Sequence, residues 1–224
     1  MEGTEQPIAS PASSGAVSDY PLTFGVQYPD RKLNRVSTGF RAFTLIPITI
    51  LALTVVHGEV EILRPGVAAQ VSGFIGGFLF LPTLLMILFR QKYPRWWYDW
   101  NLQLARFSAR IAVYSALMDD RYPSTDEQQS VHLEFPYPDP KVDIDRAMPL
   151  VKWLLAIPHY IVLAFLYLGL FFALIYVWFA ILFTGRYPRG VFEFAEGVYR
   201  WHYRVYAYVV FLVTDKYPPF RLAP

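Results

Sequence analysis

Hydrophobic and polar positions along the chain fall into three kinds of stretch, and the three recur in one order. Leu22 to Tyr28 ("LTFGVQY") and Val131 to Tyr137 ("VHLEFPY") are short alternating runs, which predicts two β-strands. Long apolar blocks follow. Thr44–Val56 carries no charge, Val67–Phe89 is 23 residues without one, and Trp153–Thr184 is 32 residues without one. Uncharged apolar runs of 18 or more residues read as membrane spans, so the pattern predicts an integral membrane protein. After each block comes an amphipathic stretch rich in aromatic residues. In it Asp99, Gln103, Arg106 and Arg110, and again Glu193, Glu196, Arg200 and Arg204, fall at helical spacing on one narrow stripe.

The recurrence extends to short motifs. "FGVQYPD" ending at Asp30 answers "LEFPYPD" ending at Asp139, "ILFRQKYPR" answers "ILFTGRYPR", and "MDDRYP" answers "VTDKYP". Arg35 then corresponds to Arg146, Arg41 to Lys152 and Pro47 to Pro158. Asp99, Arg106, Arg110 and Tyr114 correspond to Glu193, Arg200, Arg204 and Tyr208 at one constant offset. So many matches in one order predict two tandem copies of a unit. The boundaries are a disordered N-terminal tail over 1–21, a first membrane repeat over 22–123, a linker over 124–130 and a second membrane repeat over 131–221. The tail is expected because its composition is small, polar and Pro-containing.

The expected fold is an all-α integral membrane protein. Each repeat supplies a short strand, a transmembrane helical hairpin and an interfacial amphipathic helix, and the two strands could pair as a small cytoplasmic sheet. "HGEVEILRPG" (57–66) splits the first block into two spans. The second is unsplit, too long for one helix across a ~30 Å core and short for two, so it is read as a tight hairpin turning near Tyr167–Leu170. With hairpins in both copies, 19 of the 20 Lys and Arg residues lie on one side and Arg64 alone on the other. The positive-inside rule then puts both termini in the cytoplasm, with a multi-pass chain in a cytoplasmic membrane and two parallel repeats about an axis along its normal.

The junction "[Arg/Lys]-Tyr-Pro" ends one element and starts another. Its cation (Lys92, Arg186) can reach lipid phosphates, its tyrosine (Tyr93, Tyr187) suits the membrane interface, and its proline suits a helix start. Trp96, Trp97 and Trp201 add interfacial aromatics. The stripe arginines Arg106, Arg110, Arg200 and Arg204 have three readings: charges paired with each other or with a partner, guanidiniums that hold anionic headgroups, or neighbours of a general acid or base at Glu193 or Glu196. In the second reading Asp99, Glu193 and Glu196 are their counter-charges. His159 admits either a local hydrogen bond or a ligand, quinone or proton role.

Composition closes off some chemistry. The chain has no cysteine, hence no disulfide, thiolate ligand or cysteine nucleophile. A net charge of +2 gives no reason to expect nucleic acid. His57, His132, His159 and His202 show no metal-ligand spacing, and no phosphate loop or nucleophile elbow is present. No metal or cofactor is expected.

"LLAIPHYIVLAF", "FTGRYPRGVFEF" and "VTDKYPPF" together resemble an uncharacterised bacterial membrane-protein family, a domain of unknown function often present in tandem. Its hallmarks are I-P-H, F-T-G-R-Y-P and T-D-R-Y-P-P-F. The first copy departs from them, with Pro47-Ile48 for Pro-His and Arg90-Gln91-Lys92 for Thr-Gly-Arg. The resemblance implies a bacterial inner membrane and brings no catalytic residue with it. The expected function is therefore a non-catalytic membrane subunit that binds lipids and partner membrane proteins, in an energy-transducing or transport complex. The alternative is a lipid or small-molecule carrier or channel with a site between the repeats; a membrane-bound enzyme ranks third.

Overall fold

The computed structural model describes residues 20–56, 75–125, 127 and 129–224. In chain order its elements are β1 (Thr23–Val26), α1 (Arg35–Gly39), α2 (Arg41–Val56), α3 (Ile75–Arg90), α4 (Arg95–Ser115), β2 (Val131–Glu134), α5 (Met148–Leu155), α6 (Ile157–Thr184) and α7 (Arg189–Val209). The two strands form where alternation predicts them, and they pair with each other. The ladder is antiparallel, with Phe24 opposite Leu133, Thr23 opposite Glu134 and Gly25 opposite His132. Phe24 and Leu133 point into the core, while Thr23, His132 and Glu134 face out. The expected tail boundary falls slightly late: Tyr20 is already buried, and its hydroxyl donates to the Arg204 carbonyl. Most of that tail, and the expected outer loop at 57–69, lie outside the described residues.

The sheet rests on α4 and α7, and the apolar helices pack against those two in turn. Both α4 and α7 start directly after an extended proline, Pro94 and Pro188, as the junction motif predicts. On α7 the buried set includes Phe192, Ala195, Val198, Trp201, Val205 and Tyr208. Phe24 of β1 stacks on Tyr203 at 5.2 Å, and Phe135 meets Phe211 at 5.2 Å. Burial of each such side chain contributes about 1.5–3 kcal/mol, so this aromatic tier is where the fold's hydrophobic stabilisation concentrates.

The second apolar block differs from expectation. It is one continuous helix through Tyr167–Leu170, preceded by the short α5. Between Pro158 and Thr184 the sequence offers Gly169 as its sole turn-former, and one interior glycine costs a helix only about 1 kcal/mol. Good helix formers on both sides therefore carry the helix through. α6 ends at Gly185, whose φ of +71° provides a left-handed cap. Among the described residues α6 is the one helix long and apolar enough to cross a membrane. α2 and α3, at 16 residues each, flank the segment expected to loop outside.

Backbone outliers recur at matched positions of the sequence. Gln91 (φ +45°) holds the place that Gly185 holds, and Leu117 (φ +61°) the place of Leu212 (φ +54°). Both pairs follow the last turn of a helix, where a left-handed residue lets the chain reverse.

Candidate functional site

The stripe arginines point inward, to backbone oxygens. Arg106 Nε donates to the Leu133 carbonyl at 3.0 Å, and Arg200 Nε donates to the Phe24 carbonyl, also at 3.0 Å. Arg200 also binds Glu196 at 2.5 Å and the Leu222 carbonyl at 2.9 Å. Arg110 donates to the Ser124 carbonyl at 2.7 Å, and Arg204 to the Arg221 carbonyl at 3.2 Å. Arg204 is wholly buried; burial and then the neighbouring Arg200 and Arg221 charges lower its pKa to about 10, still protonated at neutral pH. Glu196 is the expected counter-charge of Arg200. Arg106 pairs instead with Glu134 at 3.9 Å, and among the described residues Asp99 and Glu193 form no ion pair.

The junction residues divide by exposure. Lys92, Arg186 and Trp96 are exposed, so they remain available to lipid or a partner. Tyr93 and Tyr187 are buried, because their hydroxyls reach across the molecule to the carbonyls of Phe211 (2.9 Å) and Ala116 (3.3 Å). Trp97 is half-buried and donates to Thr83 Oγ1 at 2.9 Å, while Trp201 is buried against α6. Arg110, Arg204, Tyr93, Tyr187 and Trp201 are thus buried among groups of the chain itself.

Further contacts come in matched pairs. Tyr28 Oη donates to the Tyr187 carbonyl at 2.5 Å, and Tyr137 Oη to the Tyr93 carbonyl. Arg189 lies over the Tyr28 ring at 5.0 Å, and Arg95 over the Tyr137 ring at 5.5 Å. Arg41 donates to the Asp119 carbonyl (2.9 Å) over the Tyr114 ring; Lys152 donates to the Thr214 carbonyl (2.7 Å) over the Tyr208 ring. Lys152 also meets Asp215 at 2.7 Å. Burial lowers the Lys152 pKa, and Asp215 opposes that shift by stabilising the ammonium.

His159 sits in an aromatic box. Its Nδ1 accepts from Trp201 Nε1 at 3.0 Å, and its ring stacks on Phe220 at 4.0 Å with Tyr217 at 4.8 Å. Tyr217 Oη closes the box by donating to the Leu155 carbonyl. The I-P-H and D-K-Y-P-P-F segments, 55 or more residues apart, are thereby one packing unit. Sequence reasoning singled out His159 but missed its partner Phe220. A cleft of about 260 Å³ lies nearby between α6 and α7, lined by Tyr160, Leu163, Tyr167, His202, Val205 and Tyr206. Among the described residues no group of three or more His, Cys, Asp or Glu could hold a metal.

Residues 146–221 match the model of a family described as a domain of unknown function (DUF4389). That match runs from α5 to the His159 box and includes the whole Thr184–Pro188 junction. No curated protein and no solved structure matches the chain.

Proposed function

We propose that this chain is a membrane-bound, non-catalytic scaffold or accessory subunit that binds lipids and partner membrane proteins. The observation that carries this reading is the outer surface of the apolar helices. Phe40, Phe43, Phe89, Trp153, Phe165 and Phe183 are each more than half exposed. With the exposed Ile161, Leu168, Phe172, Ile175 and Phe179 of α6 they put many large apolar side chains on the outside, which marks a surface for lipid or protein contact. The polar groups brought together inside the fold, by contrast, serve backbone carbonyls, which is structural work. A bacterial inner membrane with both termini cytoplasmic, and a place there in an energy-transducing or transport complex, are parts of this proposal; with an α6 that does not cross the membrane, 19 of the 20 Lys and Arg residues again fall on one side.

The same reading takes the chain as two copies of one unit about a local twofold through the Phe24–Leu133 pair. Supporting it are the matched left-handed residues, Arg106–Leu133 with Arg200–Phe24, and Tyr28–Tyr187 with Tyr137–Tyr93. The carrier reading draws no support from that cleft, which lies between α6 and α7 of the second copy and not at the seam. Purification in mild detergent, with mass spectrometry of co-purifying protein and lipid, tests the proposal. A stoichiometric protein partner is expected. A monomer that retains one specific lipid and no protein would favour the carrier.

A further inference from the structure

We infer that α6 lies in the plane of the membrane, embedded along its length in one leaflet, and does not cross it. This rests on the membrane reading above and specifies its geometry. α6 is 28 residues, about 42 Å at 1.5 Å per residue, against a hydrocarbon core of about 30 Å. Its buried residues are His159, Leu163, Leu170, Val177 and Ile181, at spacings of four and seven that mark one helix face. That face is held against the protein from end to end. Near its start His159 meets Trp201 of α7. At mid-length Leu170 and Val177 join the core that holds Ala195 and Val198 of α7. Near its end Trp178 Nε1 donates to the Thr38 carbonyl of α1 at 3.2 Å.

The tier beneath α6 packs apolar and aromatic side chains against it, but it also carries charged groups and an open sheet. α7 carries the Glu196–Arg200 pair, and Arg200 binds the carbonyl of β1, a strand in a two-stranded open sheet. Were α6 to stand across the bilayer, the tier packed along it would stand in hydrocarbon too. Open strands and irregular polar backbone are not stable there unless enclosed by protein. Both ends of α6 are also tied to connecting segments of the fold. Lys152, just before it, pairs with Asp215 well after it, while Gly185 at its end receives Leu33 N–H at 2.9 Å.

The opposite face of α6 fits a lipid monolayer. Ile161, Phe165, Leu168, Phe172, Ile175 and Phe179 are exposed at alternating spacings of four and three, an unbroken apolar line. At its C-terminal end stand the exposed Lys32, Arg35 and Arg186. Arg35 donates to the Phe183 carbonyl at 3.1 Å, which holds that cation at the edge of the apolar face, at the level expected for anionic headgroups.

The chain has no cysteine, so single cysteines can be placed at Ile161, Leu168, Ile175 and Phe183 and carry an environment-sensitive fluorophore. The full chain is reconstituted into vesicles of phosphatidylcholine and phosphatidylglycerol. Quenching by lipids with nitroxides at different acyl positions then reads the depth of each label. Equal depth at all four positions, in one leaflet, is expected. A profile with Leu168 and Ile175 deepest and the two ends shallow would overturn the in-plane geometry and leave the membrane reading intact. Labels that no lipid quencher reaches would overturn both, and would assign the face to protein contact.

Discussion

Arg106 and Arg200 make one contact in duplicate: each donates Nε to the carbonyl of a strand residue, Leu133 and Phe24, and those two residues face each other in the ladder. Two charges thus fix one short sheet from the two helices that flank it. Four-residue strands are marginal by themselves, so the helices must supply what the ladder lacks. The two sites differ in surroundings. Arg200 is about 11% exposed and has three acceptors, while Arg106 is about 29% exposed with Glu134 at 3.9 Å.

Arg200→Met should therefore destabilise more than Arg106→Met. Removing Arg200 leaves Glu196 with the Val26 N–H but no counter-charge, and two carbonyls without the guanidinium donor, a loss of roughly 2–4 kcal/mol. The Arg106 change should cost about 1 kcal/mol, since water can replace the lost donor. Denaturant unfolding in detergent, followed by tryptophan fluorescence, gives both numbers. Equal losses would mean that the sheet does not depend on its buried anchor.

At the helix ends the two junctions use different residues for one backbone need. Gly185 at φ +71° has Lys32 and Arg35 atoms 3.7 Å from where a Cβ would sit. Gly185→Ala should cost about 1–2 kcal/mol from the left-handed strain. Gln91→Gly relieves the same strain, loses its hydrogen bond to Arg146 at an exposed site, and should stabilise by up to about 1 kcal/mol. Gly190→Ala, with open space around it, is the control. Opposite signs for Gly185→Ala and Gln91→Gly in thermal melts are the expected result.

Acid should weaken the fold through Asp119. Burial raises its pKa, but hydrogen bonds from Ser130 Oγ (2.6 Å) and the Arg121 side chain (3.0 Å) and backbone outweigh that and hold it below the ordinary carboxyl value. Arg31 adds a further ion pair at 3.2 Å. A depressed folded-state pKa means that the unfolded chain binds the proton first. The stabilisation is complete above the unfolded carboxyl value, about 4, and is lost as pH falls from there through the lower folded value. Asp119→Asn should lower stability at neutral pH and flatten the decline below about pH 4. An unchanged acid slope would place the titrating group elsewhere.

Sequence pattern made the strands, the two Pro-started amphipathic helices and the matched junctions legible, since alternation, the helical stripe and Tyr-Pro are each local signals. The course of α6 was not legible in that way. The lack of a turn-former other than Gly169 argues for continuity, but which side of the run packs inward depends on Trp201 and Thr38, which lie far off in the chain. The inward turn of Arg110 and Arg204 was hidden for the same reason. Their acceptors, the carbonyls of Ser124 and Arg221, belong to backbone that no residue type announces.

His159 offers the sharpest separation of packing from chemistry. Its Nδ1 is the acceptor for Trp201 Nε1–H, and both side chains are buried. The residue at the matching place in the first copy is Ile48, also buried. If His159 serves packing and this one hydrogen bond, then His159→Gln should retain an acceptor, though not the stack on Phe220, and lose about 1 kcal/mol. His159→Ile strands the indole N–H in an apolar box and should cost about 2–4 kcal/mol. Adding Trp201→Phe to His159→Ile removes the stranded donor, so the double variant should be more stable than His159→Ile alone. The double-mutant cycle in denaturant reads that coupling. A double variant whose loss is the plain sum of the two single losses would mean that Trp201 and His159 do not depend on one another, and the box would then be only a hydrophobic contact between α6 and α7.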